Sequence, residues 1–333
     1  MAKAVPVESA VGKELAYDTT VVNSEKAGVL LGKGHIITAG DIELLKMSGL
    51  YVVYVNSDSG DDIFESKIAE MVAMASADSK SVEIKLGKQG SALLFSKFPG
   101  IVNVNGEMVK TVNMSGTALI ITRKNHDAVG SGELIGVIDS IPLYEKKERI
   151  DALMRKISIS VSVMPFKRKA AGLVVTGTEV YEGKKKDLYT DIILKKAGKY
   201  GWNIVFRKLV PDDQALIAEA IREARIAGAE AIIITGGMSV DPTDRTPAAI
   251  SSVGAKIVAY GIPVKPTTMS LIAYWDGLPV FGISAGGIYY KDVNSFDVVF
   301  TLMMAGIELT PDMVAMMGNG GLLPNFNPAF KLH

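Results

Sequence analysis

The feature that most restricts this chain lies between residues 172 and 283, where short apolar runs rich in β-branched residues alternate with amphipathic helical stretches. A strand over 172–176 precedes a helix near 188–200, and a strand over 202–207 precedes a helix opened by Pro211-Asp212-Asp213 and stopped by Gly228. A third strand, 231–235, precedes a helix over 247–253. Such alternation gives a parallel sheet covered by helices on both faces. A strand over 256–260 follows, then a pair joined by Asp276-Gly277, a strong hairpin signal, and ending at 279–283. A last helix is expected over 288–304. The α/β fold class is therefore a three-layer α/β/α domain with a mostly parallel sheet, placed at 165–308.

Upstream the pattern is mixed α+β. Val82, Ile84 and Leu86 alternate with polar residues, Asn105-Gly106 reads as a tight hairpin turn, and 133–138 resembles another strand. Helices are expected over 62–77 and 145–157. With 333 residues and 48% hydrophobic content the chain is too long for one core. The proline and basic residues at Met164-Pro165-Phe166-Lys167-Arg168-Lys169 look like a hinge, dividing an accessory region with a β-rich part (1–164) from the α/β domain, with a tail at 309–333.

Lys+Arg 36 and Asp+Glu 36 cancel, so no global field draws in nucleic acid or an anionic membrane. An anion site must be local. Cys 0 excludes disulfides and thiolate metal sites, and the three histidines, His35, His126 and His333, lie far apart in sequence. No apolar run approaches the roughly 20 residues of a membrane span. A soluble, cytoplasmic protein is expected.

In open α/β sheets, ligands bind outside the carboxyl ends of the strands. Four loops there are small, hydroxyl-bearing or glycine-rich: Thr176-Gly177-Thr178-Glu179, Gly236-Gly237-Met238-Ser239, Lys265-Pro266-Thr267-Thr268 and Ser284-Ala285-Gly286-Gly287. Glycines let backbone N–H groups approach a ligand, and a helix N-terminus favours an anion, so a phosphorylated ligand suits such a floor. The simpler reading of Gly236-Gly237 is a turn from sheet to helix. Neither the P-loop nor the dinucleotide fingerprint is present.

Thr246-Pro247 already supplies an N-cap and first helical residue, which leaves Asp244 spare. Beside a phosphate about 4 Å away its carboxylate would cost on the order of 4 kcal/mol at an effective dielectric of 20. Mg²⁺, which binds one or two carboxylates together with phosphate oxygens, would offset that. Glu179 and Asp187 can converge on the same ion as Asp244, and Asp241 is a second acidic candidate, although Asp-Pro is also a common turn. Lys184-Lys185-Lys186 reads as a solvated loop, and Met303, Met304, Met313, Met316 and Met317 as packing.

Thr235-Gly236-Gly237-Met238-Ser239-Val240, with Asp244 five residues after Ser239, resembles the signature of the molybdopterin-binding domain shared by gephyrin, molybdopterin adenylyltransferase and molybdopterin molybdenumtransferase. Val174-Val175-Thr176-Gly177-Thr178-Glu179 is similar to the family's first-strand motif. Asp187 matches its next acidic residue, and Lys265-Pro266 its Lys-Pro pair. Lys33-Gly34-His35-Ile36-Ile37 and residues 133–143 resemble the molybdenumtransferase accessory domains.

The resemblance implies binding of molybdopterin, a dithiolene pterin with a terminal phosphate. It implies Thr176, Gly177, Thr178, Glu179, Asp187, Gly236, Gly237, Ser239, Lys265, Pro266, Ser284, Ala285 and Gly286 as ligand-binding residues. Asp244, with Asp241, would act in catalysis, and Asp244 and Glu179 would hold Mg²⁺. Molybdate insertion or processing of an adenylyl-molybdopterin, with an ATP or AMP moiety and molybdate as co-substrates, is the expected chemistry; the alternative is a non-catalytic pterin carrier or sensor. Homo-oligomers, dimers above all, and a recipient molybdoenzyme are the implied partners. The chain departs from the family where Lys-Pro-Gly continues as Thr267-Thr268-Met269, where Gly-Leu-Pro-Gly becomes Gly282-Ile283-Ser284-Ala285, and where Asp241 replaces a common glycine.

Overall fold

In the computed structural model, which describes residues 2–22, 27–56, 62–238, 245–288 and 290–327, the second half of the chain builds the expected sheet. Its strands are β1 (Ala170–Thr176), β2 (Asn203–Val210), β3 (Ala231–Thr235), β4 (Lys256–Tyr260), β5 (Ser270–Trp275) and β6 (Leu278–Ile283). They lie in the order β2-β1-β3-β6-β5-β4. The first four of that order are parallel, and β5 runs antiparallel to both β6 and β4. Asp276 and Gly277 turn the β5–β6 hairpin with φ of 49° and 79°, as a tight two-residue turn requires.

Alternation along the strands feeds two cores. Leu173, Val175, Ile233 and Phe281 pack under helix α1 (Tyr189–Tyr200) and the segment 296–304. Val174, Ile232, Ile234 and Val280 pack under α2 (Gln214–Ile226) and α3 (Thr246–Ser252). Ile232, Ile233 and Ile234 are all fully buried, each such side chain contributing about 1.5–3 kcal/mol. A strand covered on both faces reads as a continuous apolar run for this reason.

Upstream, a four-stranded sheet (Val82–Leu86, Ser91–Ser96, Leu134–Ser140, Ala118–Thr122) and a three-stranded one (Ala128–Val129, Gly100–Val104, Val161–Pro165) enclose a core containing Ile68, Leu94 and Ile138. A further core at the N-terminus gathers Val7, Leu15, Leu45 and Val53. The segment 164–169 is no loose hinge. Phe166 is buried, with its ring 5.0 Å from that of Trp202 in the large domain.

Four expectations are corrected. Asn105-Gly106 is not a hairpin: Asn105 caps the helix Gly106–Asn113, its side-chain oxygen accepting from Met108 N–H at 3.2 Å. An acceptor close to the backbone suits either use. The helix expected over 62–77 runs Glu65–Ser76, because Asp62–Phe64 pairs as a strand with Tyr144–Lys146. The same pairing delays the next helix to Lys147–Met154. Finally, 288–304 is not one helix. A 3₁₀ turn covers Ala285–Ile288, and a π-helical turn Phe296–Phe300 leads into Thr301–Met304. Asn294 and Asp297 hydrogen-bond local backbone N–H groups there, competing with a continuous helix. The expected tail contains a helix, Pro311–Met316. Among the described residues no helix is long and apolar enough to cross a membrane.

Candidate functional site

Val175 lies beside Thr235, and Thr235 beside Ile283. The loops after β1, β3 and β6 therefore leave one edge of the sheet together. Gly236 N–H donates to Ile283 O at 3.0 Å and Gly177 N–H to Val210 O at 3.2 Å. Gly236 and Gly237 adopt φ of 91° and 56°, a region that only glycine enters freely. A Cβ on Gly236 would meet Thr176 O at 2.5 Å; one on Gly237 would meet Thr246 Oγ1 at 2.6 Å and Thr176 Oγ1 at 3.3 Å. The glycine pair is thus demanded by close packing as well as by the turn.

Two buried polar atoms beside Gly237, Thr176 Oγ1 and Asp212 Oδ1, have no hydrogen bond, and neither has Thr235 Oγ1 at the end of β3. Asp212 Oδ1 is 3.5 Å from where a Gly237 Cβ would stand. The other Asp212 oxygen accepts from Thr178 N–H at 3.0 Å, and Asp212 N–H donates to Thr178 Oγ1 at 3.2 Å, so the carboxylate is fixed in place. A buried polar atom left unpaired costs about 1–3 kcal/mol; a ligand group arriving here relieves that cost.

Asp212 escaped the sequence reading, which assigned it to a helix start. Asp213 caps α2 unaided, accepting from Leu216 N–H at 2.9 Å. Two consecutive aspartates where one cap suffices were the available signal. Conversely, Thr246 is not the N-cap of α3. Arg245 holds that position without a side-chain bond, and the Thr246 hydroxyl donates to Gly236 O at 3.1 Å, bracing the glycine turn. The reason for regarding Asp244 as spare falls with it. Ser239, Asp241 and Asp244 lie outside the described residues.

The remaining acidic residues are engaged separately. Glu179, largely exposed, pairs with Lys185, and Glu182 pairs with Lys184 at 2.5 Å, so these two lysines close their own loop. Asp187 caps the start of α1, accepting from Tyr189 and Thr190 N–H at 2.9 and 3.1 Å and from the Thr190 hydroxyl at 2.5 Å. It also lines a cleft of about 460 Å³ with Lys186, Thr190 and Arg207. Among the described residues no three His, Asp or Glu side chains converge as a metal set. Met303 and Met304 are fully buried, whereas Met316 is exposed.

The opposite rim is organised differently. Lys265-Pro266 is a cis peptide. Lys265 N–H donates to Gly321 O at 2.8 Å and Lys265 O accepts from Leu323 N–H at 2.9 Å, with Lys265 Nζ 5.9 Å from the Phe326 ring centre. Thr267 adopts the positive φ, 71°, that suits the glycine of the related motif. Its buried hydroxyl bonds Ser295 Oγ at 2.6 Å, which bonds Ser270 Oγ at 2.8 Å. Gly286 faces this rim, 3.7 Å from Thr267 Cγ2 in the Cβ direction. Ser284 N–H donates to Met269 O at 3.1 Å, and Ser284 O accepts from the Tyr189 hydroxyl. Ala285 lies in the turn between Ser284 and Gly286.

A mostly parallel α/β/α domain of this kind belongs to the open-sheet class, whose ligands bind outside the carboxyl ends of the strands. A family model described as "Probable molybdopterin binding domain" matches residues 172–316, and that segment is similar to the family. A second model, described only as a domain of unknown function, matches 4–57. A CinA-like protein of Syntrophus aciditrophicus is 31% identical over 91 residues, 27% of this chain and 20% of that protein. A molybdopterin molybdenumtransferase of Staphylococcus aureus is 26% identical over 129 residues, 37% of this chain and 30% of the enzyme. The matched segment thus spans less than a third of either relative. Among solved structures, the molybdopterin biosynthesis enzyme MoaB of Thermus thermophilus superposes with a TM-score of 0.36 at 16% identity, over 41% of this chain and 97% of that one. A molybdenum cofactor biosynthesis protein of Pyrococcus furiosus gives 0.27 at 14%, over 92% and 64%.

Proposed function

We propose that the strand-end cleft binds molybdopterin through its terminal phosphate and that the protein acts in molybdenum-cofactor biosynthesis. The observation that carries this reading is the set of buried, unpartnered atoms around Gly237, namely the Thr176 hydroxyl and one oxygen of Asp212. The hydroxyl is a donor to a phosphate. The carboxylate is not: about 4 Å from a phosphate it would oppose binding by on the order of 4 kcal/mol at an effective dielectric of 20. A divalent cation reconciles the two, and a buried carboxylate oxygen is the right chemistry for Mg²⁺, which takes one or two carboxylates and completes its shell with ligand phosphate and water. Asp212, with Asp244 from the loop after Ser239, would hold that ion. Glu179, turned to Lys185, is not needed for it.

On this reading the step is molybdate insertion, or processing of an adenylyl-molybdopterin, in the cytoplasm, by a homo-oligomer that passes cofactor to a molybdoenzyme. The second reading, a pterin carrier or sensor without catalysis, is favoured by one observation. Thr267, at the glycine position of the Lys-Pro-Gly motif, turns its hydroxyl to Ser295 rather than outward.

Titration of the purified protein with molybdopterin, followed by pterin fluorescence after oxidation, tests the shared premise. Gly237→Val is expected to weaken binding at least about tenfold, since its Cβ would collide with the Thr246 hydroxyl in a backbone conformation hostile to β-branched residues. Wild-type protein that binds no pterin would overturn the reading in favour of another phosphorylated ligand. With Mg²⁺, ATP and molybdate present, Asp244→Ala should retain pterin yet fail to mature the cofactor. Tight binding without turnover by the wild type selects the carrier.

A further inference from the structure

The accessory region holds a second concavity, of about 420 Å³, far from the strand ends in sequence and formed between two helices. One wall is the helical stripe Arg149, Ala152 and Leu153, at the i, i+3, i+4 spacing that aligns side chains on one face, continued by Lys156 in the turn that follows the helix Lys147–Met154. The other wall is Thr111, near the end of the helix Gly106–Asn113, and the turn that follows it.

Three observations distinguish this place from an ordinary surface groove. The Arg149 guanidinium is held from two sides, by Glu145 at 3.1 Å and by the Ser115 carbonyl at 3.3 Å, which fixes its remaining N–H groups in space. Glu145 is buried and already shared between Arg149 and the Lys146 amide at 2.9 Å, so it leaves the Lys156 ammonium uncompensated. Lys156 has no ion pair among the described residues. Thr117 is 2% exposed and lines the concavity, and its hydroxyl has no hydrogen bond among the described residues, although its backbone N–H and C=O are both paired. Between the two cations and this hydroxyl lies an apolar surface from Met114, Ala152 and Leu153.

We propose that this concavity is a second binding site, for a small organic anion whose acidic head meets Lys156, Arg149 and the Thr117 hydroxyl and whose short aliphatic body lies on Leu153 and Met114. The volume is within the range of small-molecule sites. Guanidinium and ammonium offer donors only and both are positively charged, which disfavours a cationic ligand and gives a neutral one no partner for the charges, while the hydroxyl can donate to the same acidic head. The site is independent of pterin binding.

Butyl phosphate and hexanoate are the probes, with butanol as the uncharged control, titrated into ¹⁵N-labelled full-length protein. The expected result is saturable shifts confined to the amides of residues 111–117 and 149–156 with either anion and none with butanol. Stronger binding of one anion identifies the acidic head. Lys156→Ala and Thr117→Val should each weaken that binding about tenfold or more, the loss of one hydrogen bond to a charged group, while Lys156→Arg retains it. An equal response to butanol would reduce the site to an apolar groove. Absence of saturation, or unchanged affinity in both weakened variants with folded spectra, would overturn the proposal.

Discussion

Two groups of loops at the strand ends use the same small polar residue types and do opposite things with them. On the rim built by Thr176, Asp212 and Gly236-Gly237, hydroxyl and carboxylate oxygens are buried without partners. On the rim built by Lys265-Pro266-Thr267, the Thr267, Ser295 and Ser270 hydroxyls satisfy one another in a closed chain. Behind that chain Asp297 accepts from Lys196 at 2.6 Å and from the Tyr200 hydroxyl at 3.0 Å, with all three side chains buried. Burial and proximity to the anion keep the Tyr200 hydroxyl protonated well beyond its ordinary range. Polar burial without a partner is costly and persists where something outside the chain completes it; polar burial in a closed network is architecture. On the proposed reading the first rim is the one a ligand completes, whereas the second ties Ser295 to Thr267 and Ser270.

A first way to break this contrast is Ser295→Ala. The change removes the middle member of the hydroxyl chain and strips Thr267 and Ser270 of one partner each, so stability should fall by about 1–2 kcal/mol. Urea unfolding followed by tryptophan fluorescence measures it in the right domain, since both tryptophans, Trp202 and Trp275, belong to the large sheet or its border. Ligand affinity should stay within about twofold, because none of the lost bonds faces the glycine turn. A large loss of affinity at unchanged stability would move the closed rim into the binding surface.

The same contrast explains what could be read from the sequence. The sheet was legible because its strands are buried on both faces, so Ile232, Ile233 and Ile234 announce a central strand without any knowledge of neighbours. The glycine turn was legible as well, since Gly236 and Gly237 sit where an apolar run stops. What escaped depends on partners distant in sequence. Asp212 and Asp213 are chemically identical, and only their hydrogen bonds, Asp213 with Leu216 N–H and Asp212 with Thr178 N–H, show which one caps the helix and which keeps an unpaired oxygen by the glycine turn. Thr246 looked like an N-cap because its position beside Pro247 fits one, yet its hydroxyl goes to a carbonyl ten residues back. The strand Asp62–Phe64 became strand by pairing with Tyr144–Lys146, some eighty residues away, a long-range choice that helical spacing alone cannot register.

Thr176→Val is the smaller and more discriminating perturbation. Valine preserves the shape and β-branching of threonine and deletes only the hydroxyl, which in the free protein has no partner to lose. Replacing an unpaired buried hydroxyl by a methyl group removes a desolvation cost rather than a bond, so stability should be unchanged or higher by up to about 1 kcal/mol. Affinity for a phosphorylated ligand should nevertheless fall about tenfold or more, one hydrogen bond to a charged acceptor. Stability and affinity therefore move in opposite directions at this residue, whereas at Ser295 stability falls and affinity holds. If Thr176→Val instead destabilises the domain and leaves binding intact, the hydroxyl is satisfied within the protein, and the open rim is as structural as the closed one.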